Sequence, residues 1–124
     1  MQAKVKVWIE DDKQNLIFGG GKTQILEFID ATGSISEAAK KVGMNYKKAW
    51  THIKILQEFL EDELVIVNKG GKGQGGTTLT PKAKEIIATY KALQKDIKAY
   101  TQKRYEELFI NENDTLLHSK VDNG

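Results

Sequence analysis

Residues 33–60, GSISEAAKKVGMNYKKAWTHIKILQEFL, constrain the fold more than any other stretch of this chain. Ser34 is followed three residues later by Glu37, the spacing of a reciprocal capping box at a helix start. Ile35, Ala38, Ala39 and Val42 then recur at helical spacing, with small alanines where a second helix can approach closely. Gly43 stops that helix, because a residue without a Cβ enters the left-handed region without a clash. Asn45 caps the next helix. There Ala49, Trp50, Ile53, Leu56 and Leu60 form a stripe to be buried, and Lys47, Lys48, Thr51 and Lys54 fall outside it. A short helix, a glycine turn and a basic second helix are the parts of a helix-turn-helix.

Charge is distributed to match. The formal net charge is only +2, but Lys40, Lys41, Lys47, Lys48 and Lys54 occur with no acid between Ala38 and Gln57. Lys69, Lys72, Lys82 and Lys84 follow in a second acid-free stretch, and the acids gather at residues 10–12 and 58–63. Such segregation gives one basic face, suited to a polyanion, although a lysine run is also the ordinary dress of a solvated surface. The chain has no cysteine, which removes disulfides, thiolate zinc sites and cysteine nucleophiles together. No apolar run approaches the roughly 20 residues of a membrane span, and the N-terminus lacks a signal-peptide core, so a soluble cytoplasmic protein is expected.

Residues 3–9, AKVKVWI, alternate as a half-buried strand does, and residues 16–18 are expected to return as its hairpin partner. A helix is expected over residues 22–32, with Ile25, Leu26, Phe28 and Ile29 on its apolar side. The preceding GGGKT resembles a phosphate loop, but that motif needs a glycine where Leu16 stands, so the stretch reads as a flexible entry into the first core helix. After the helix-turn-helix, residues 64–68 (LVIVN) and 77–80 read as strands around the glycine-rich, basic tip KGGKGQGG. A dinucleotide fingerprint would open a helix, whereas this loop lies between strands. A helix-turn-helix followed by such a hairpin is a winged helix, with a plain flexible hairpin as the alternative. Thr80 then caps a long helix that starts at Pro81. Along it Ala83, Ile86, Tyr90, Leu93, Ile97 and Tyr100 alternate steps of three and four, a heptad seam suited to pairing with a second copy or to covering the domain's own core. The fold class expected is α+β, mainly α with small β hairpins. Residues 1–80 form the winged helix-turn-helix, 81–110 a long dimerisation helix, and 111–124 a polar tail.

NYKKAW, the glycine-rich GGKGQGG and the LT step into the following helix also resemble a known family. Over residues 1–110 the chain is similar to the N-terminal DNA-binding domain of ModE-type molybdate-responsive transcriptional regulators, and its helix-turn-helix more distantly to that of LysR-type regulators. The resemblance implies a dimeric winged helix whose segment from Asn45 onward enters the major groove. Family members that sense molybdate do so in a C-terminal oxyanion-binding module. This chain ends before such a module, so no molybdate site and no other cofactor is expected here.

Base contacts are expected from the first turns of the second helix. Lys47, Lys48 and Thr51 are the favoured positions, with Lys54 on the same face. Asn45 has an amide able to pair with adenine as well as a capping role, and Tyr46 can reach a phosphate or brace the helix start. Ser34 and Ser36, at the start of the first helix, and Lys69 and Lys72 in the wing are expected to hold phosphates. Ile86, Tyr90, Leu93, Ile97 and Tyr100 are the expected dimerisation residues. Trp50 is assigned to the core, and His52 to surface or packing. Double-stranded DNA and a second copy of the chain are the expected partners. A winged-helix module that docks an acidic protein is the alternative. No catalytic or metal-binding residue is expected: the two histidines, His52 and His118, are far apart in sequence and the carboxylates form no convincing pair.

Overall fold

In the computed structural model, which describes residues 1–69 and 76–110, the chain runs through β1 (Ile9–Glu10), β2 (Leu16–Phe18), α1 (Gly20–Thr32), α2 (Ile35–Val42), α3 (Tyr46–Leu60), β3 (Val65–Asn68), β4 (Gly76–Leu79) and α4 (Pro81–Phe109). The fold is the expected α+β winged helix-turn-helix with a long C-terminal helix. The wing tip, including Lys72, and the expected polar tail lie outside the described residues. Two compact units can be distinguished, Trp8–Tyr90 and Met1–Val7 with the segment that starts at Lys91.

The core of the unit Trp8–Tyr90 lies among its helices and the bases of both hairpins. Phe18, Ile25, Leu26, Ile29 and Leu64 are its largest fully buried side chains. Ile35, Ala38 and Ala39 of α2 and Ala49, Ile53 and Leu56 of α3 complete the helix-turn-helix part. The alanines serve as their size suggests: each is almost wholly buried, which places helix backbones close together. Tyr90 closes the core at the first third of α4, its ring edge-on to Phe18 with centroids 5.1 Å apart.

The N-terminal hairpin is much shorter than its alternating sequence suggests. Only Ile9 and Glu10 pair with β2, opposite Phe18 and Leu16, and a bulge separates them. Asp11 turns the chain: Oδ1 accepts the N–H groups of Lys13 (2.9 Å) and Asn15 (2.8 Å), and Oδ2 accepts the Asn15 amide. Residues 3–7 keep the alternation, with Val5 and Val7 half-buried and Lys4 and Lys6 exposed. They realise it in the other unit: the Ala3 N–H donates to Gln102 Oε1 at 3.1 Å, and Ala3 and Val5 line one groove with Lys98 and Gln102 of α4. An alternating segment needs one apolar cover, and a helix supplies it as well as a strand does.

α1 begins two residues before the expected start, at Gly20, and Lys22 ties its first turn to β2. Lys22 is buried, and its Nζ donates to the carbonyls of Leu16 and Ile17, each at 3.0 Å. Burial pushes its pKa below the ordinary lysine value. Thr23 Oγ1 donates to the carbonyl of Gly19 at 3.0 Å. The Lys-Thr pair that resembled a phosphate loop is thus bonded to its own strand and cap.

The wing pairs Val65 with Leu79, Ile66 with Thr78, Val67 with Thr77 and Asn68 with Gly76. Thr80 joins it to α4: the Oγ1 of Thr80 donates to the Glu63 carbonyl (2.7 Å) and accepts from the Ala83 N–H (3.1 Å), ahead of Pro81 at the first helical position. Among the described residues no helix is long and apolar enough to cross a membrane.

Candidate nucleic-acid interface

The turn between α2 and α3 follows from three residues. Gly43 adopts φ 77°, a conformation that glycine takes without steric cost, and its N–H returns to the Lys40 carbonyl at 3.2 Å. The Met44 N–H donates to the Ala39 carbonyl, and the Met44 side chain packs on the core, so the chain re-enters at a fixed point. Asn45 Oδ1 then accepts the Lys48 N–H at 2.8 Å, capping α3 as expected.

Ser34 caps α2 as expected, its Oγ accepting the Glu37 N–H at 3.1 Å. The reciprocal half of the box is replaced. The Ser34 N–H donates to Thr32 Oγ1 (3.2 Å), and the Glu37 carboxylate stands 3.4 Å from Lys40 Nζ. Thr32, two residues upstream, reaches the cap first, which sequence spacing alone does not reveal. Ser36 is exposed on the first turn of α2.

Along α3 the buried and exposed faces separate as the pattern requires. Ala49, Ile53 and Leu56 are buried, while Lys47, Lys48, Thr51 and Lys54 are exposed, and Tyr46 is 51% exposed. Trp50 is half-buried against the core, not enclosed by it. Its outer surface carries Lys54, whose Nζ lies 5.4 Å from the ring centroid, a cation–π contact that restrains a long side chain. The Thr51 Oγ1 donates to the Lys47 carbonyl one turn back, at 2.9 Å. His52, expected at the surface or in packing, is half-buried, and its Nδ1 is buried without a hydrogen-bond partner. Burial, and then the charges of Lys22 and Lys48, hold its pKa below the ordinary histidine value.

The wing base is bolted to the entry of α2. The Thr77 N–H donates to the Gly33 carbonyl at 2.8 Å, and a Cβ on Gly76 would stand 3.3 Å from that same oxygen. A cleft of about 330 Å³ results, lined by Gly33, Ser34, Ser36, Tyr46, Val67 and Thr77 among others. The structure therefore brings the starts of α2 and α3 and the base of the wing to one place. Lys69 leaves β3 exposed.

The seam of α4 divides. Ile86 packs against the core of its own unit and Tyr90 is 4% exposed within it. Leu93, Ile97 and Tyr100 are 40%, 36% and 61% exposed. Sequence reasoning missed the burial of Lys22, the Thr77–Gly33 bond and the Lys54–Trp50 stack. Among these only the last had a signal, since residues four apart share a helix face.

Comparison with known proteins agrees with this geometry. Residues 22–84 match the model of the bacterial regulatory helix-turn-helix proteins of the lysR family. The molybdenum-pterin-binding protein MopB of Rhodobacter capsulatus is 40% identical over 76 residues, 61% of this chain and 28% of its own length. The molybdenum transport protein ModE of Azotobacter vinelandii is 36% identical over 87 residues, 70% of this chain and 32% of its own. The DNA-binding transcriptional dual regulator ModE of Escherichia coli K12 is 36% identical over 93 residues, 75% of this chain and 35% of its own. The chain thus spans about a third of the length of these curated relatives. It belongs to the bacterial regulatory helix-turn-helix proteins of the lysR family, with a DNA-binding domain of the ModE type.

Proposed function

We propose that the chain acts in the cytoplasm as a sequence-specific transcriptional regulator that binds a palindromic or near-palindromic operator in double-stranded DNA as a homodimer. One observation carries this reading. The outer side of α3 presents Lys47, Lys48, Thr51 and Lys54 to solvent, while its opposite side is locked in the core and the wing base is tied alongside. A major groove admits a helix held in this way, and its lysines meet phosphates or guanine acceptors there.

The remaining roles follow from position. Ser34, Ser36 and Tyr46 line the cleft, Lys69 follows β3 exposed, and all four suit phosphates, which orient the protein without reading sequence. Asn45 Oδ1 is already engaged by the helix, so its amide N–H₂ is the part left for a base. The division of labour is residues 1–80 for DNA and 81–110 for pairing. Exposed Leu93, Ile97 and Tyr100 form the paired face, and Ile86 and Tyr90 serve the core. No molybdate site is assigned.

Selection of bound duplexes from a random pool tests this reading. An enriched consensus with two inverted half-sites is expected, the spacing set by the dimer. A pool that emerges unenriched, with uniform salt-sensitive retention, overturns it and favours a module that docks an acidic partner.

A further inference from the structure

We infer that Thr51 reads the C5-methyl group of a thymine, by apolar contact and not by a hydrogen bond. The inference rests on the reading that the outer side of α3 enters the major groove. Thr51 sits in the second turn of α3, exposed, between Lys47 and Lys48 on one side and Lys54 on the other. A threonine hydroxyl has one proton, and that of Thr51 is engaged by the Lys47 carbonyl at 2.9 Å. The bond turns the oxygen back along the helix, and β-branching leaves few other rotamers. Thr51 therefore offers no donor to the acceptors on guanine, to adenine N7 or to thymine O4. What remains are the two lone pairs of an oxygen beside a backbone carbonyl, and a methyl group.

Three lysines flank this position, so donors for phosphates and guanines are already plentiful there. An apolar group among them adds what they lack, contact with the one methyl group that the major groove displays. The neighbouring charges also oppose the approach of the exocyclic amines of adenine and cytosine, the partners that the lone pairs would need.

The test replaces each thymine of the selected consensus, one at a time, by deoxyuridine, which lacks only the methyl group. Binding of the full chain is measured by fluorescence anisotropy for wild type, Thr51→Val and Thr51→Ser. One thymine in each half-site is expected to matter, its replacement weakening wild type about fourfold, the effect of one buried methyl group. Thr51→Val keeps methyl groups at both branches and is expected to retain that sensitivity. Thr51→Ser keeps the hydroxyl alone and is expected to bind both duplexes equally, at the affinity of wild type for the deoxyuridine duplex. A consensus in which no deoxyuridine effect depends on Thr51 overturns the inference and leaves the regulator reading standing. Sensitivity kept by Thr51→Ser and lost by Thr51→Val assigns the reading to the hydroxyl and also overturns it. A pool without consensus removes the regulator reading, and this inference with it.

Discussion

The backbone N–H of Thr77 donates to the carbonyl of Gly33 at 2.8 Å, joining the return strand of the wing to the residue that ends α1 and leads into α2. Sequence separates the two by more than forty positions, yet this bond fixes the wing beside the helix-turn-helix. Gly76, next to Thr77, is tightly held, since a Cβ would meet the same carbonyl oxygen at 3.3 Å and push it back by a few tenths of an ångström. Gly76→Ala is expected to cost about 1–2 kcal/mol of stability, as a strained contact beside a weakened hydrogen bond does. It is also expected to lower affinity for specific and non-specific duplexes alike, because the wing loses its position and α3 does not. Urea denaturation and anisotropy on both duplexes check this; a loss confined to one sequence contradicts the assignment.

Asn45 separates a structural role from a reading role. Its Oδ1 caps α3, so Asn45→Ala is expected to lower stability by about 1 kcal/mol. Asn45→Asp keeps the cap and a favourable charge at the helix N-terminus but has no amide N–H₂. Full thermal stability with weaker binding is its expected profile. Unchanged binding would leave Asn45 with the cap alone.

These two cases mark what was legible in the sequence. Caps, turn glycines and the stripe of α3 depend on residues within one or two turns of each other, and the chain states them openly in Ser34, Gly43, Asn45, Ala49, Ile53 and Leu56. The exposure of Lys47, Lys48, Thr51 and Lys54 follows from the same periodicity. Contacts between distant segments were not legible. The alternation of residues 3–7 calls for an apolar cover without specifying a strand or a helix, and the seam of α4 does not say which of its positions serve the core. Lys22 was hidden for another reason: lysine is rarely buried, and here the carbonyls of Leu16 and Ile17 accept its ammonium group.

His52 predicts a response to acid. Burial and the lysines lower its folded-state pKa below the 6.5 of an unperturbed histidine. The unfolded chain therefore binds the proton more readily, and the contribution of neutral His52 is present above pH 6.5 and lost as pH falls through that value toward the folded pKa. The unfolding midpoint is expected to decline as the pH is lowered from about 7.5 to about 5. His52→Gln is expected to flatten the decline. A variant with the same pH dependence as wild type would show that other groups cause it.

The exposed part of the α4 seam predicts the assembly. Leu93→Asp combined with Ile97→Asp places two charges on surfaces that are open in the single chain, so helix content is expected to persist. Sedimentation velocity at micromolar concentration is expected to change from a dimer to a monomer, with the palindrome bound no better than a half-site. A wild-type chain that sediments as a monomer would remove the paired arrangement.

The outer side of α3 carries the whole account, and the absence of cysteine allows it to be located directly. Lys48→Cys labelled with an iron chelate should cut the selected duplex at one short cluster within each half-site. The same label at Asp30→Cys, on the exposed side of α1, should leave the half-sites uncut. Cleavage that is equal from the two positions, or spread evenly along the duplex from Lys48→Cys, would contradict the placement of α3 in the groove.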